Sequence, residues 1–135
     1  MITAFDADVL IYAAIDGHPH GTRIAELFHH SEDTCIGSVL LLAEVLAKPL
    51  RDNPESAEVA ALASLLSRLE LCPLDEPTSR LALALAVSYG LRAADASHLA
   101  TAVTARADRF LTNNRKDFPQ TISEIAIVYP EDLLD

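Results

Sequence analysis

Three carboxylates occupy positions where acidic side chains are uncommon. Asp6 directly follows an apolar run, Glu44 interrupts the apolar stretch 39–46, and Asp95 lies in the first turn of an apolar helical stretch. A carboxylate buried in such surroundings loses hydration energy unless a metal ion, an arginine or backbone N–H groups pair with it. Simpler explanations remain open for two of them. Glu44 can lie at the flank of its helix with access to solvent, and Asp95 can interact favourably with the helix dipole.

A polar turn at residues 112–117 follows another apolar run and adds further candidates to these three acids. In open α/β sheets, ligands bind beyond the carboxyl ends of the strands, and we expect the acids and this turn to meet at that edge. Three oxygen ligands favour Mg²⁺ or Mn²⁺ over zinc. His98 lies three residues after Asp95 and shares its helical face. We interpret His98 as a residue that packs and hydrogen-bonds.

Strand-like and helix-like segments alternate along the chain, and these elements position the candidate side chains. Strands are predicted at about residues 2–6, 34–37, 69–74, 109–112 and 125–129, with helices at 8–15, 21–30, 39–46, 54–68, 77–89 and 93–107. Strands separated by helices imply right-handed crossovers. The predicted fold is therefore an α/β sandwich built on a mainly parallel sheet of about five strands.

Local signals set the expected boundaries of the helices. Ser38 is a candidate N-cap, and the pair 48–49 (Lys-Pro) is expected to end the helix that it opens. The pair 53–54 (Asn-Pro) resembles an N-cap followed by proline at the first helical position. Pro77 is expected to start the fifth helix, and Gly90 suits its C-cap.

The composition indicates one domain, residues 1–135, in which 50% of the residues are hydrophobic. No segment approaches the ~20 uninterrupted apolar residues that cross a bilayer, and no basic region precedes the first strand as in a signal peptide. A cytoplasmic protein without membrane contact is expected. Cys35 and Cys72 have apolar neighbours and no metal-site spacing, which predicts buried free thiols.

The formal net charge of −10 argues against broad, nonspecific coating of nucleic acid, since phosphate binding normally needs a basic surface. Ten residues are basic, and only Lys48 and Lys116 among them are lysines. A bound divalent ion reverses the sign of the local field of an acidic cluster. The charge is therefore still compatible with a metal-dependent nuclease.

Four segments, in this order and spacing, resemble the PIN-domain family, and within it the VapC-like toxins of bacterial and archaeal toxin–antitoxin pairs. They are residues 5–12 (FDADVLIY), 37–45 (GSVLLLAEV), 94–100 (ADASHLA) and 111–118 (LTNNRKDF). The resemblance covers essentially the whole chain. It implies a PIN-like, three-layer α/β/α sandwich.

The resemblance implies that Asp6, Glu44 and Asp95 form an acidic site for Mg²⁺, with Mn²⁺ as an alternative. The family often has a fourth acid in the turn after the fourth strand, where this sequence has Asn114, with Asp117 as a further candidate. The implied activity is metal-dependent hydrolysis of RNA phosphodiester bonds. In such a reaction the metal polarises a phosphoryl oxygen and lowers the pKa of a bound water.

Supporting residues and partners follow from the same resemblance. Thr112 is expected to brace a carboxylate, whereas Asp8 departs from the Asn or Ser that the family usually has. It is expected to bond a backbone amide or to act as an outer carboxylate. Candidate phosphate contacts are basic and lie near the motifs: Arg92, Arg109, Arg115 and Lys116. The implied partners are an RNA substrate, a small cognate antitoxin with a basic segment, and a second copy of the chain in a homodimer.

Three alternatives compete with the nuclease. A catalytically weak or inactive PIN-like module, acting by binding a partner or RNA, is supported by Asn114. A haloacid-dehalogenase-like phosphatase is suggested by the Asp6–Ala7–Asp8 sequence, but its DxDx[TV] motif needs one residue between the second acid and Thr or Val, and Val9 follows Asp8 directly. The third alternative is an α/β domain whose acids are structural.

Overall fold

The computed structural model describes residues 1–30 and 32–133. Its strands are β1 (Ile2–Phe5), β2 (Thr34–Ser38), β3 (Glu70–Cys72), β4 (Arg109–Leu111) and β5 (Ala126–Val128). Its α-helices are α1 (Ala7–Ala14), α2 (Gly21–Glu26), α3 (Leu41–Asp52), α4 (Ala57–Ser67), α5 (Glu76–Tyr89) and α6 (Ala93–Thr104). Short 3-10 helices cover Leu27–His29 and Pro130–Asp132.

The strands form one sheet in the order β3-β2-β1-β4-β5, and every neighbouring pair is parallel. The chain moves outward from β1 through β2 to β3 and then crosses to β4 on the other side of β1. The strand order therefore reverses between β1 and β4. A reversal of this kind opens a crevice at the carboxyl ends of the two strands, which is where α/β sheets bind ligands.

Alternating side chains of the central strands point into two separate cores, as the pleat of a strand requires. Ala4 and Phe110 pack with residues of α5 and α6, whereas Phe5 and Leu111 pack with residues of α1, α3 and α4. Helices thus cover both faces of the sheet. The predicted three-layer α/β/α sandwich with a five-stranded parallel sheet is confirmed.

The predicted boundary between α3 and α4 is wrong. Pro49 does not end α3 but lies within it, and the helix continues to Asp52. A proline at this position removes one helical hydrogen bond. The helix tolerates this loss because packing of its buried face holds the helix in place. Asn53 does not cap α4 either. The N-cap is Ser56, whose Oγ accepts a hydrogen bond from the N–H of Val59 at 3.1 Å.

Several other helix ends differ from the prediction by one to four residues. Ser38 Oγ accepts a hydrogen bond from the Leu40 N–H at 3.1 Å, so it stabilises the turn before α3 and is not its N-cap. Helix α5 begins one residue before Pro77 and is capped by Asp75. Gly90 adopts the left-handed conformation at φ 67°, which confirms it as the C-cap. The predicted helix 21–30 changes to a 3-10 helix after Glu26, and the predicted helix 93–107 ends earlier, with α6.

The two cysteines are free thiols, as predicted. Cys35 is buried, but Cys72 is only half-buried because its strand β3 lies at the edge of the sheet. The expectation of burial was therefore wrong for Cys72. Within residues 1–30 and 32–133, no helix combines the length and the apolar character needed to cross a membrane.

Candidate functional site

Asp6 lies at the point where the strand order reverses. It follows β1, is the N-cap of α1, and is 5% exposed. Its Oδ1 accepts a hydrogen bond from the Ala7 N–H at 2.8 Å, and its Oδ2 accepts one from Thr112 Oγ1 at 2.8 Å. Burial raises the pKa of Asp6, and the bond from Thr112 opposes that rise. The two hydrogen bonds therefore fix the carboxylate in position, but they do not fully offset the cost of burying its charge.

The turn after β4 forms a hydrogen-bonded chain that begins at Asp6. Thr112, which is fully buried, accepts a hydrogen bond from the Asn114 N–H at 3.0 Å. The Asn114 amide donates to Asp117 Oδ2 at 2.9 Å, and its Oδ1 accepts from the Asp117 N–H at 3.3 Å. Asn114 therefore orients the carboxylate of Asp117.

Asp95 lies in the first turn of α6 and is half-buried. Its pKa is raised first by burial and then by the charges of Asp6 and Asp117, with a further contribution from Glu44. Like charges raise a pKa through space, so these acids share one electrostatic neighbourhood. They come from the residue after β1, from α3, from α6 and from the turn after β4.

Glu44 is exposed, with 34% of its side chain accessible, and it pairs with the buried His98. The Nε2 of His98 lies 2.8 Å from Oε1 of Glu44. Burial lowers the pKa of His98, but the hydrogen bond and charge of Glu44, with the charges of Asp6 and Asp95, outweigh it and raise that pKa. The prediction that His98 packs and hydrogen-bonds is confirmed. Its partner, Glu44, is one that the spacing of His98 from Asp95 did not indicate.

Asp8 lies on the first turn of α1 beside these acids. Its Oδ2 accepts a hydrogen bond from the Asn113 N–H at 2.9 Å, whereas its Oδ1 is buried and has no hydrogen-bond partner among the described residues. Burial, reinforced by the charge of Asp6, raises the pKa of Asp8 to about 7. Asp8 thus holds the 112–114 turn against α1 and is partly protonated at neutral pH.

The acids of the site offer a metal ion only oxygen donors. Within residues 1–30 and 32–133, no three side chains of His, Cys, Asp or Glu are grouped closely enough to hold one. The chemistry of the site nevertheless fits a divalent cation, because Asp6, Asp95 and Glu44 are oxygen donors, and the negative charge of Glu44 contributes to the raised pKa of both Asp6 and Asp95. A cation would relieve that repulsion. The acids therefore lie around one edge of the sheet, but among the described residues no three of them are close enough together to bind one ion.

The basic residues differ in their availability. Arg92 and Lys116 are exposed. Arg115 pairs with Glu131, and its guanidinium carbon lies 4.4 Å from the centre of the Tyr129 ring. Arg109 is at the opposite end of β4 from Thr112, and its Nε donates to Thr3 Oγ1 at 2.9 Å.

Comparison with known families identifies this arrangement. Residues 4–122 match the model of the PIN domain. The chain belongs to the PIN-domain family. The predicted resemblance is thereby confirmed, and the haloacid-dehalogenase-like alternative loses its support. Comparison with curated proteins gives no significant match.

Solved structures with this PIN fold extend over most of the chain. A chain of VapBC2 from Rickettsia felis, bound to a DNA fragment from its promoter, is 20% identical, with a TM-score of 0.77 over 96% of this chain and 98% of its own. A chain of a toxin–antitoxin complex from Klebsiella pneumoniae is 25% identical, with a TM-score of 0.72 over 95% and 97%. VapC20 of Mycobacterium tuberculosis, a sarcin–ricin loop cleaving toxin, is 16% identical, with a TM-score of 0.63 over 80% and 86%.

Proposed function

We propose that this PIN domain is a divalent-metal-dependent endoribonuclease that acts as the toxin of a toxin–antitoxin pair. The observation that carries the proposal is the position of Asp6, buried at the reversal of strand order and electrostatically coupled to Glu44. The charges of both Asp6 and Glu44 raise the pKa of Asp95. Acids concentrated in this crevice suit a cation that binds and activates a phosphodiester.

Each acid has a proposed part in this site. Asp6 and Asp95 would bind Mg²⁺, or Mn²⁺, directly, and Glu44 would supply the third carboxylate. Asp117, oriented by Asn114, is the fourth acid, so the asparagine supports an acid and does not replace one. When bound, the metal would polarise a phosphoryl oxygen and lower the pKa of a water for in-line attack.

Two neighbouring residues support these ligands. Thr112 holds Asp6 in one orientation through its hydroxyl. Asp8 fixes the 112–114 turn and remains near the metal ligands as an outer carboxylate. Both are proposed to be positioning residues, because Thr112 would act through Asp6 and Asp8 through the turn at Asn113, and neither would bind the metal itself.

RNA is the proposed substrate. A solved structure of the same fold is described as a sarcin–ricin loop cleaving toxin, which supports this assignment. Because the net charge is −10, we expect the protein to contact RNA at a few points, chiefly through the metal ion, and not along a wide stretch of phosphates. Arg92 and Lys116 are exposed and are proposed to contact phosphates, with Arg115 available only if it leaves Glu131.

Two protein partners are proposed. Similar folds occur in VapBC and toxin–antitoxin complexes, which supports a small cognate antitoxin, and a basic antitoxin segment would complement the acidic chain. The exposed apolar side chains Leu83 and Val87 on α5, 67% and 77% accessible, support a homodimer. Action on cellular RNA implies a cytoplasmic location.

Induced expression in a host without the antitoxin tests the proposal. Wild type is compared with Asp6→Asn, Asp95→Asn and the control Asp16→Asn, which removes an exposed carboxylate in the turn after α1. Wild type and Asp16→Asn should arrest growth and fragment cellular RNA, and the two site variants should do neither. If all four proteins behave alike, the proposal of a metal-dependent nuclease is wrong. Growth arrest without RNA fragmentation would favour the inactive binding module.

A further inference from the structure

We propose that His98 is a positioning residue for Glu44, fixing one carboxylate oxygen so that the other is presented to the metal site. The inference rests on the proposed function and adds to it a residue outside the acidic set. Its basis is the distance of 2.8 Å between His98 Nε2 and Glu44 Oε1.

The two partners differ sharply in burial. The His98 side chain is 1% exposed, whereas the Glu44 side chain is 34% exposed. A partly exposed glutamate on a helix samples several rotamers and must lose that freedom to bind a ligand. A hydrogen bond to a ring held in the protein interior restricts Glu44 in advance, which is the usual way that a ligating carboxylate is oriented.

The pair also links the two helical layers. Glu44 belongs to α3, whose buried residues join the core with α1 and α4, whereas the residues neighbouring His98 on α6 join the opposite core. The contact therefore bridges the carboxyl edge of the sheet. It sets the position of Glu44 relative to Asp95, which lies on the same helix as His98.

The hydrogen-bonding pattern of the imidazole fits this role. Its Nδ1 is buried and has no hydrogen-bond partner among the described residues, whereas its Nε2 contacts Glu44. The tautomer with its proton on Nε2 donates to Glu44 and engages Oε1. Oε2 is then the oxygen left for a metal ion or for a water bound to it.

Manganese calorimetry on the full chain tests the inference with a readout other than activity. His98→Phe keeps a buried ring but removes the donor, and the Mn²⁺ affinity should fall about 10- to 100-fold. His98→Gln places an amide N–H near the position of Nε2 and should stay within a few-fold of wild type. His98→Asn is too short to reach Glu44 and should lose affinity as the phenylalanine variant does, which preserves the test if His98→Phe does not fold.

A double-mutant cycle separates positioning from packing. In a Glu44→Ala background, His98→Phe should cause no further loss of Mn²⁺ affinity, because its effect passes through Glu44. Losses that multiply, or a His98→Phe protein that binds as wild type does, would overturn the inference. Failure of the proposed function is distinct from these outcomes. In that case wild type itself would bind no Mn²⁺, or Asp6→Asn and Asp95→Asn would bind as wild type does.

Discussion

The hydroxyl of Thr112 donates a hydrogen bond to Oδ2 of Asp6 at 2.8 Å, although the two residues are 106 positions apart in the sequence. Each residue directly follows one of two adjacent parallel strands, β1 and β4. The same hydroxyl accepts the Asn114 N–H. One buried side chain thus connects Asp6 with the turn that carries Asn114 and Asp117.

Thr112→Val should destabilise the protein, since it leaves a buried Asp6 oxygen without its donor. An unsatisfied buried group of this kind costs about 1–3 kcal/mol. Urea unfolding at pH 7 with EDTA measures the loss, and Thr112→Ser, which keeps the hydroxyl, should recover most of it. A valine variant as stable as wild type would show that this hydrogen bond contributes nothing to the fold.

Asp8 should make stability depend on pH. Its pKa is about 7 in the folded protein, against an ordinary value of 3.8. Between those values the folded state binds a proton that the unfolded state has released, so the free energy of unfolding falls as pH rises from about 4 to 7 and then levels off. Asp8→Asn removes the contribution of Asp8 to this dependence and should be more stable than wild type at pH 8, by on the order of 3 kcal/mol.

Urea unfolding with EDTA at several pH values between 4 and 8 measures the Asp8 effect. The advantage of Asp8→Asn should shrink toward pH 4, where Asp8 is protonated in both states. Asp16→Asn should follow wild type throughout. A constant difference between Asp8→Asn and wild type over the whole range would contradict the assigned pKa.

Asn114 should act through Asp117. Asn114→Ala releases that carboxylate and should slow RNA cleavage about as much as Asp117→Asn does, roughly 10- to 100-fold. The double variant should be no slower than Asp117→Asn alone, and Asn53→Ala, an amide lost far from the site, should cleave at the wild-type rate. Multiplying effects of the two site changes would mean that Asn114 contacts the metal or the RNA itself.

Much of the fold and part of the site followed from local patterns. Apolar runs predicted the strands, and alternation with helices predicted a parallel sheet. Because its strands are parallel, their carboxyl ends share one edge, and that places Asp6 near the turn that begins at Thr112. The contact of His98 with Glu44 could not be predicted in this way. It depends on how α6 and α3 pack, and the two residues are 54 positions apart.

The start of α4 shows how local signals can mislead. Asn53 followed by proline is a good cap signal, but Asn53 Oδ1 instead accepts the Glu55 N–H at 3.1 Å within the preceding turn. Ser56 is the N-cap that the packed helix uses. Ser56→Ala should therefore cost about 1 kcal/mol in the free energy of unfolding, and Asn53→Ala clearly less. A larger loss for Asn53→Ala in urea unfolding would reverse this assignment.

Cleavage of RNA by purified protein tests the central claim most directly. Labelled RNA is incubated with wild type, Asp95→Asn or Asp16→Asn, after chelation and after readdition of Mg²⁺ or Mn²⁺. We predict endonucleolytic fragments from wild type and Asp16→Asn only when metal is present, and none from Asp95→Asn. Fragmentation that persists in EDTA, or that is equal for all three proteins, would contradict a metal-dependent ribonuclease built on these acids.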